Sequence, residues 1–475
     1  MTNGRDYDII IVGGGAAGLS AAVEAARAGQ TVLLLEAAPR VGGSSALSAG
    51  VIYAGATDVQ REAGIEDSVD AMLAYGTTLA QNRLDASLAR RMCEDSAALI
   101  SWLRSLGAVF DPARTYHGGV EPEGLKRSHR VDGGGERLIE ILEGVASTHG
   151  VDIVCNTRVE QLFVDEDGHV GGVQIDGDVV RSAAVVLASG GFGENLELVQ
   201  KHYPSFVEAA GDWLWHIGNK YSLGDGLAMG EAAGARIANP DRGLISITHR
   251  FDKDNELFHP DWLMFVNEDG RRFMREFENY GMSAQNVMDQ PGRHCFAIFD
   301  ESARRAARQR PEWIGLVKMH WTESVIPELV DAGKIAKADT IEELAERLGI
   351  DAKVLGRTIE IYNRDCEAGA DSFYGKAKEG LLPVLTPPFY GAEMRAATIA
   401  ATFTGLAIDR DAAALDHADR PIPGLFAAGE TTNAMGSIYW GGGFALATSM
   451  IFGRRAGQSA ARHAMQNSSL ETSLG

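Results

Sequence analysis

Three glycines and one carboxylate near the start of the chain are spaced to hold a dinucleotide. Gly13, Gly15 and Gly18 form G-x-G-x-x-G. In that pattern the first glycine permits a tight turn, the second lets backbone approach a pyrophosphate, and the third lets a helix pack close to a strand. Glu36 follows about 20 residues on, where a carboxylate can accept both ribose hydroxyls and disfavours a 2′-phosphate. A second small-residue loop, Val41-Gly42-Gly43-Ser44-Ser45-Ala46-Leu47-Ser48-Ala49-Gly50, can cradle the other side of a pyrophosphate and bring backbone against a flat ring.

Those residues need a strand–helix–strand unit to position them. The apolar run 8–12 predicts a buried parallel strand, 19–28 a helix and 31–35 a second strand ending at Glu36. The helix N-terminus then aims free N–H groups and partial positive charge at the pyrophosphate. Beyond this unit, 68–106 reads as amphipathic helix with Met72, Leu79, Leu88, Met92, Leu99 and Leu103 inward. Residues 108–130 are irregular and carry Tyr116, His117 and His129, and Gly133-Gly134-Gly135 starts a helix through Val145. Segments 151–154, 158–164, 170–175 and 179–180 predict a small β-meander. The strand 185–188 runs into Ser189-Gly190-Gly191, at the carboxyl edge where a ligand crevice belongs. A further helix enters through Gly224-Asp225-Gly226.

Composition shifts at Asn239-Pro240, and 240–385 reads as an inserted second domain with helices at 340–348 and 352–368. The chain then returns through a strand at 406–409, another at 423–428 ending in Gly429-Glu430, and a last helix, 444–466. That helix starts at Gly441-Gly442-Gly443, so its N–H groups are open to a ligand. The fold class is α/β: a Rossmann-like dinucleotide domain with a small β-meander, at 1–239 and 386–475, and an inserted α+β cap at 240–385.

Whole-chain properties exclude more than they assign. A length of 475 residues suggests two or more domains, and a formal net charge of −21 disfavours nucleic acid and anionic membranes as partners. Cys93, Cys155, Cys295 and Cys366 are far apart and form no C-x-x-C, so metal and redox motifs are absent. Reduced thiols, a polar stretch at 1–7 and no long uninterrupted apolar run predict a cytoplasmic protein with no transmembrane segment.

The segments GGGAAGLSAA, GGSSALSAG, ASGGFG, GDGLAMGEAAGA, FVNEDGRRF, PIPGLFAAGE and YWGGGFALATSMIFGRRAG span nearly the whole chain. Together they resemble the FAD-dependent fumarate reductase and 3-ketosteroid dehydrogenase superfamily. The resemblance implies FAD, held by Gly13, Gly15, Ala16, Ala17, Gly18, Glu36, Ala37, Gly43, Ser44, Ser45, Ser48, Val159, Ser189, Gly190, Asp225, Glu430, Phe444, Ala445 and Leu446. Near Ser44-Ser45, where succinate-oxidising relatives attach flavin through histidine, no histidine occurs, so binding is expected to be noncovalent.

Other positions discriminate within the superfamily. Fumarate-reductase-like members carry an arginine acid after the FVNxxGxRF segment, histidines before the last glycine-leucine strand, and an arginine near the final helix. Here Tyr280, Ala400 with Ala401, and Tyr439 stand at those places. Losing those groups argues against a small dicarboxylate, which needs paired cationic donors. The replacements resemble 3-ketosteroid dehydrogenases. In that resemblance Tyr439 O–H and Gly443 N–H donate to the steroid C3 carbonyl, stabilising the developing enolate. Tyr280 removes the adjacent proton while flavin N5 takes hydride from the neighbouring carbon. A phenol with its usual pKa near 10 needs a nearby donor or charge to act as base, and Tyr116, with Tyr53 second, is the candidate. His117, His129, His249 and His259 read as hydrogen-bonded residues, Trp213, Trp215, Trp262 and Trp440 as packing or an apolar slot, and Arg271 and Arg272 as ion pairs around a turn.

The expectation is therefore FAD-dependent dehydrogenation of an apolar small-molecule ketone, a 3-ketosteroid, with an external electron acceptor. The segment 401–406, ATFTGL, departs from the dehydrogenase pattern. It leaves 1,2-desaturation, 4,5-desaturation and enone reduction open, with the first favoured. A reductase of an enone or unsaturated acid is the rival, and a flavin-binding protein without turnover a third reading.

Overall fold

The computed structural model describes residues 5–116, 125–251, 259–276, 279–306 and 320–474, with Tyr280 and 468–474 described by backbone alone. His117 lies outside the described residues. Two compact units emerge. The first comprises Met1–Tyr203, Gly218–Leu244 and Ala401–Gly475, the second Pro204–Ile217 and Ile245–Ala400.

In chain order the first unit carries strands β1 (Ile9–Val12), β2 (Val32–Leu35), β3 (Val51–Tyr53), β4 (Ser128–Arg130), β5 (Asp152–Val154), β6 (Gln161–Val164), β7 (Val170–Ile175), β8 (Asp178–Arg181) and β9 (Ala184–Leu187). Its main sheet runs in the order Ala413–Leu415, Pro421–Ala427, β9, β1, β2, β5. All neighbours are parallel except the outermost Ala413–Leu415. Ile9, Ile10 and Ile11 have no exposed surface, because elements cover both faces of the sheet. That is why β1 is a continuous apolar run rather than an alternating one.

Helix α1 (Ala16–Arg27) and the closing helix Phe444–Leu474 lie backbone against backbone. A Cβ added at Gly453 would sit 2.3 Å from the Ala17 carbonyl oxygen, and one at Gly457 2.3 Å from that of Ala21. Arg454 Nε donates to Glu24 at 2.9 Å, fixing the same pairing at its rim.

Two expectations for this unit change. The segment at 151–154 was expected in the meander, but β5 pairs parallel with β2, Leu33 opposite Asp152. The meander is the three strands β6–β7–β8. The long helix predicted over 68–106 is two, Val69–Leu79 and Ala86–Ser105. Gln81 and Asn82 take positive φ values of 50° and 60°, which stops the first. Asp85 starts the second by accepting the Ser87 and Leu88 N–H groups.

The second unit is built on a sheet of Trp215–His216, Phe389–Thr402, His294–Asp300 and Met264–Val266, with Ala336–Ala338 alongside. Its strands alternate between two cores. Phe265, Cys295, Ala297 and Phe299 face one, and Met264, Val266, Phe296 and Ile298 the other. Helices Ile341–Leu348 and Ala352–Ala368 fall where the sequence places them. The boundary does not. Residues 386–400, expected with the first domain, belong here because Phe389–Thr402 pairs with His294–Asp300 from Phe389↔Asp300 to Arg395↔His294. Residues 204–217 join the same sheet through Trp215↔Thr398.

The helix pairing yields a test. Gly457→Val should destabilise the protein by about 1–3 kcal/mol through overpacking. Gly144→Ala, in the interior of Gly134–Thr148 with nothing within 4 Å of an added Cβ, should stabilise it by about 0.5–1 kcal/mol. Denaturant titration of the two variants beside the parent checks both signs.

Candidate functional site

At the carboxyl edge of β1, β2 and β9 the first unit opens a cleft. It is lined by residues 12–17, 35–37, 43–45, 157–159 and 188–190, together with Asn219, Tyr221, Ser222, Asp225, Met229, Gly429, Glu430 and Ser449. Gly13 turns the chain at φ +108°, and a Cβ there would meet the Ala188 carbonyl oxygen at 2.3 Å. At Gly15, by contrast, the nearest atom to an added Cβ is Ser45 Oγ, 3.9 Å away, so a side chain would occupy the cleft itself. Helix α1 begins at Gly15 with no capping side chain and no acid in its first turn. The Gly15 and Ala17 N–H groups at its start are therefore open to an anion.

The second glycine-serine loop is pinned close by. The Ala16 N–H donates to Ser45 Oγ at 3.2 Å, and the Asn219 N–H to Ser44 Oγ at 2.9 Å. Residues 43–47 form a short helix, Gly43–Leu47, rather than a plain loop. Glu36 is buried and accepts the Gly14 N–H and the Ala38 N–H, each at 2.7 Å. Its carboxylate thus fixes the glycine turn and the end of β2, with lone pairs remaining for a ribose. The Gly15 and Ala17 amides, the hydroxyls at 44–45 and a carboxylate at the second strand end fit the pyrophosphate and ribose of a dinucleotide.

Gly13, Gly15, Ala16, Ala17, Glu36, Ala37, Gly43, Ser44, Ser45, Val159, Ser189, Gly190, Asp225 and Glu430 all line this cleft. Gly18, Ser48, Phe444, Ala445 and Leu446 are not among its lining residues. Gly18 packs on Gly13, whose oxygen would sit 1.9 Å from an added Cβ. The Ser48 hydroxyl donates to the Ser45 carbonyl at 2.7 Å. Glu430 Oε1 accepts from the Thr402 N–H at 2.7 Å and its hydroxyl at 2.9 Å. Arg158, Asn219, Tyr221, Ser222 and Ser449 also line the cleft, and the first four belong to none of its sequence motifs. Arg158 closes a bidentate pair with Asp225 at 2.8 and 2.6 Å on the rim. The glycine-flanked GDG motif could have pointed to its partner, but nothing local marks 219–222.

Tyr439 forms a second arrangement in the same unit. Its oxygen accepts the Gly443 N–H at 3.2 Å, and the amides of Phe444 and Ala445 also face it. The N–H that the resemblance assigned to a substrate carbonyl is thus directed at the phenol. Burial pushes the Tyr439 pKa up, the amides pull it down, and burial prevails, so the group is a neutral phenol. Phe403 stacks at 6.4 Å and Phe444 stands edge-on at 5.8 Å. Tyr53 and Tyr116 flank one residue: both pair with Ser128, Tyr53 through the β3–β4 ladder and Tyr116 through an isolated bridge. Tyr53 is fully buried.

Tyr280 opens the helix Tyr280–Met288 of the second unit, where Asn279 caps by accepting the Gly281 N–H at 3.1 Å. Its side chain lies outside the described residues. Arg272 pairs with Glu276 and Asp371, each at 2.9 Å, whereas Arg271 is exposed. Trp262 packs in a core of the second unit and Trp440 stacks on Phe444 at 4.9 Å. His129 is buried, donating from Nδ1 to the Arg127 carbonyl and accepting the Thr57 hydroxyl at Nε2, both at 2.8 Å. Burial lowers its pKa to about 4. Among the described residues no group of three or more His, Cys, Asp or Glu can hold a metal ion, and no helix is long and apolar enough to cross a membrane.

The sequence matches the FAD binding domain family over residues 8–446. It is 30% identical to a probable fumarate reductase of Shewanella frigidimarina, over 96% of this chain and 75% of that one. It is also 30% identical to the vinyl phenol reductase of Lactiplantibacillus plantarum, over 97% and 98%. The structure is similar to 3-ketosteroid Δ4-(5α)-dehydrogenase of Rhodococcus jostii, solved with 4-androstene-3,17-dione. There the TM-score is 0.80 at 28% identity, over 97% of this chain and 98% of that one.

Two outcomes follow from these geometries. Glu36→Ala removes a charged acceptor from two amides and should weaken FAD binding by about 10- to 100-fold, read by flavin fluorescence on dilution of the holoprotein. His129 is neutral in the folded state down to pH about 4, whereas an unfolded histidine protonates near 6.5. Stability is therefore full above that value and falls as pH drops toward 4, by up to about 1.4 kcal/mol per pH unit from this group. His129→Gln should flatten the slope in urea titrations between those pH values.

Proposed function

The chain belongs to the FAD binding domain family, and from that premise we propose that it desaturates 3-ketosteroids, with 1,2-desaturation favoured over 4,5. It is an FAD-dependent oxidoreductase acting on CH–CH bonds. The observation that carries the finer reading is Tyr439, a buried neutral phenol over the first turn of the closing helix. Its O–H donates to the ketone oxygen while its own oxygen takes the Gly443 N–H, which strengthens the donation. As the neighbouring C–H loses its proton to Tyr280, negative charge moves onto the ketone oxygen, where the Tyr439 O–H stabilises it. Bound noncovalently, FAD supplies the hydride acceptor for the adjacent carbon, and an external acceptor takes the electrons onward. Tyr116, one bridge from Ser128, is the proposed support for the Tyr280 phenolate, on sequence grounds.

Aromatic rings around Tyr439 suit an apolar ketone, and the tyrosine where fumarate-type members carry arginine disfavours a dicarboxylate. The similarity to the Rhodococcus dehydrogenase supports the same substrate class. A second reading runs the reaction backwards, as reduction of an enone, with Tyr280 as proton donor. The two relatives named as reductases support it.

Anaerobic titration decides between them. A saturated 3-ketosteroid, a 4-ene-3-ketosteroid and succinate are each mixed with oxidised holoprotein. Bleaching by a steroid, with the new double bond located in the product, supports desaturation. Reoxidation of pre-reduced protein by an enone alone turns the assignment to reductase. Tyr439→Phe should retain FAD and lose on the order of 10²-fold or more in turnover, and near-parental turnover in that variant removes its assigned role.

A further inference from the structure

The loop that carries the proposed carbonyl donors is Tyr439-Trp440-Gly441-Gly442-Gly443. Three glycines in a row have no side chains with which to hold themselves, and their conformational freedom must be removed from outside. Three donors from the N-terminal half do so. Tyr75 donates its hydroxyl to the Trp440 carbonyl at 3.1 Å, Ser128 its hydroxyl to the Gly442 carbonyl at 2.8 Å, and Tyr53 its backbone N–H to the Gly443 carbonyl at 3.2 Å.

The Ser128 bond carries a specific consequence. The carbonyl of Gly442 and the N–H of Gly443 belong to one planar trans peptide, and point in opposite directions. Holding the carbonyl on Ser128 aims the N–H at the Tyr439 oxygen.

These donors share one anchor. Arg127 is fully buried and grips Asp67 through Nε and Nη2, both at 2.7 Å, with neither side chain accessible. Its third donor, Nη1, reaches the Tyr53 hydroxyl at 3.5 Å. Its guanidinium lies over the Tyr75 ring, 5.6 Å from the centroid. Its own carbonyl takes the Ala54 N–H at 2.9 Å, and the next residue is Ser128. A buried ion pair is a weak source of net stability, because desolvation offsets most of its attraction. One that touches Tyr53, Tyr75 and the backbone of Ser128 fixes positions instead.

We propose that Ser128 and Tyr75, seated on the buried Arg127–Asp67 pair, are the positioning residues for the Tyr439–Gly443 pair. This rests on the reading of Tyr439 as the carbonyl donor. None of the four touches the reacting atoms. Their effect is transmitted through the orientation of one peptide plane and one loop.

The test is a double-mutant cycle on the holoprotein. The rate read is single-turnover flavin reduction by 4-androstene-3,17-dione or its saturated 5α analogue. Ser128→Ala should slow reduction about tenfold, the size of one lost hydrogen bond, and leave FAD content and the substrate's apparent affinity unchanged. In a Tyr439→Phe background, where the phenol proton is already gone, the same change should cost less than about twofold, because neighbours acting as a unit are not additive. Tyr75→Phe should repeat the pattern, and serves if Ser128→Ala yields no folded protein. Equal losses in both backgrounds, or no loss in the parental one, overturn the proposal. A Tyr439→Phe single variant with the parental rate instead overturns the reading beneath it, so the two failures are separable.

Discussion

Backbone N–H groups at helix starts are the constraint from which the rest of the first unit follows. Helix α1 begins with no capping side chain, so its first-turn amides need an outside acceptor. The closing helix begins with amides turned to the Tyr439 oxygen. One end is open to an anion and the other faces a phenol, so the same dipole can serve two chemistries. Both helices must be rigid for this to hold, and they are locked together where Gly453 and Gly457 meet the backbone of Ala17 and Ala21. Small residues in this pair are therefore a requirement of packing as much as of ligand approach.

Buried charge is used for placement in both units. In the first, the Asp67–Arg127 pair lies behind the Tyr75 and Ser128 donors that hold a run of three glycines. In the second, Arg272 spans Glu276 and Asp371, and Lys376 Nζ donates to the Leu263 carbonyl at 2.7 Å and lies 3.4 Å from Glu276. Burial lowers the Lys376 pKa, and Glu276 opposes that shift. The Phe265 N–H closes the network on Glu276 Oε1 at 3.2 Å. Residues 272–276 are thereby tied down just before Asn279 caps the helix that begins at Tyr280. Charge pairs of this kind add little net stability, yet breaking one partner leaves the other buried and uncompensated.

What could be seen in the sequence was whatever is encoded locally. The strand–helix–strand unit, the two glycine loops and most of the cleft lining are contiguous signals with one physical reading. Residues 204–217 and 386–400 escaped because their place is decided by strand pairing across long stretches of chain, Trp215 with Thr398 and Phe389 with Asp300. Strand β5 escaped for the same reason: its exposed pattern suits an edge in either the meander or the main sheet. Ser128 and Arg127 were invisible as site residues, since their contribution is to peptide orientation many residues away. Asn219 reaches the cleft through its backbone N–H to Ser44 Oγ and a short-range turn in which its Oδ1 accepts the Tyr221 N–H, and nothing in the flanking sequence announces either.

Tyrosine in place of arginine also bears on the direction of reaction. An arginine in a fumarate-type site both neutralises a substrate carboxylate and carries a proton. Here Ala401 is buried and Ala400 half-buried, so the positions that hold histidines in such members offer no polar group. A neutral phenol backed by an amide stabilises an oxygen most when that oxygen gains charge during the reaction. That oxygen gains the same charge whether a double bond is being made next to the ketone or removed, because the forward and reverse paths share one transition state. Under the proposed reading, such a clamp favours a ketone or enone without selecting direction. On that reading, direction would be set by the reduction state in which the flavin is kept. Relatives named as reductases and a structural neighbour named as a dehydrogenase accord with a flavin scaffold that can be run in either sense.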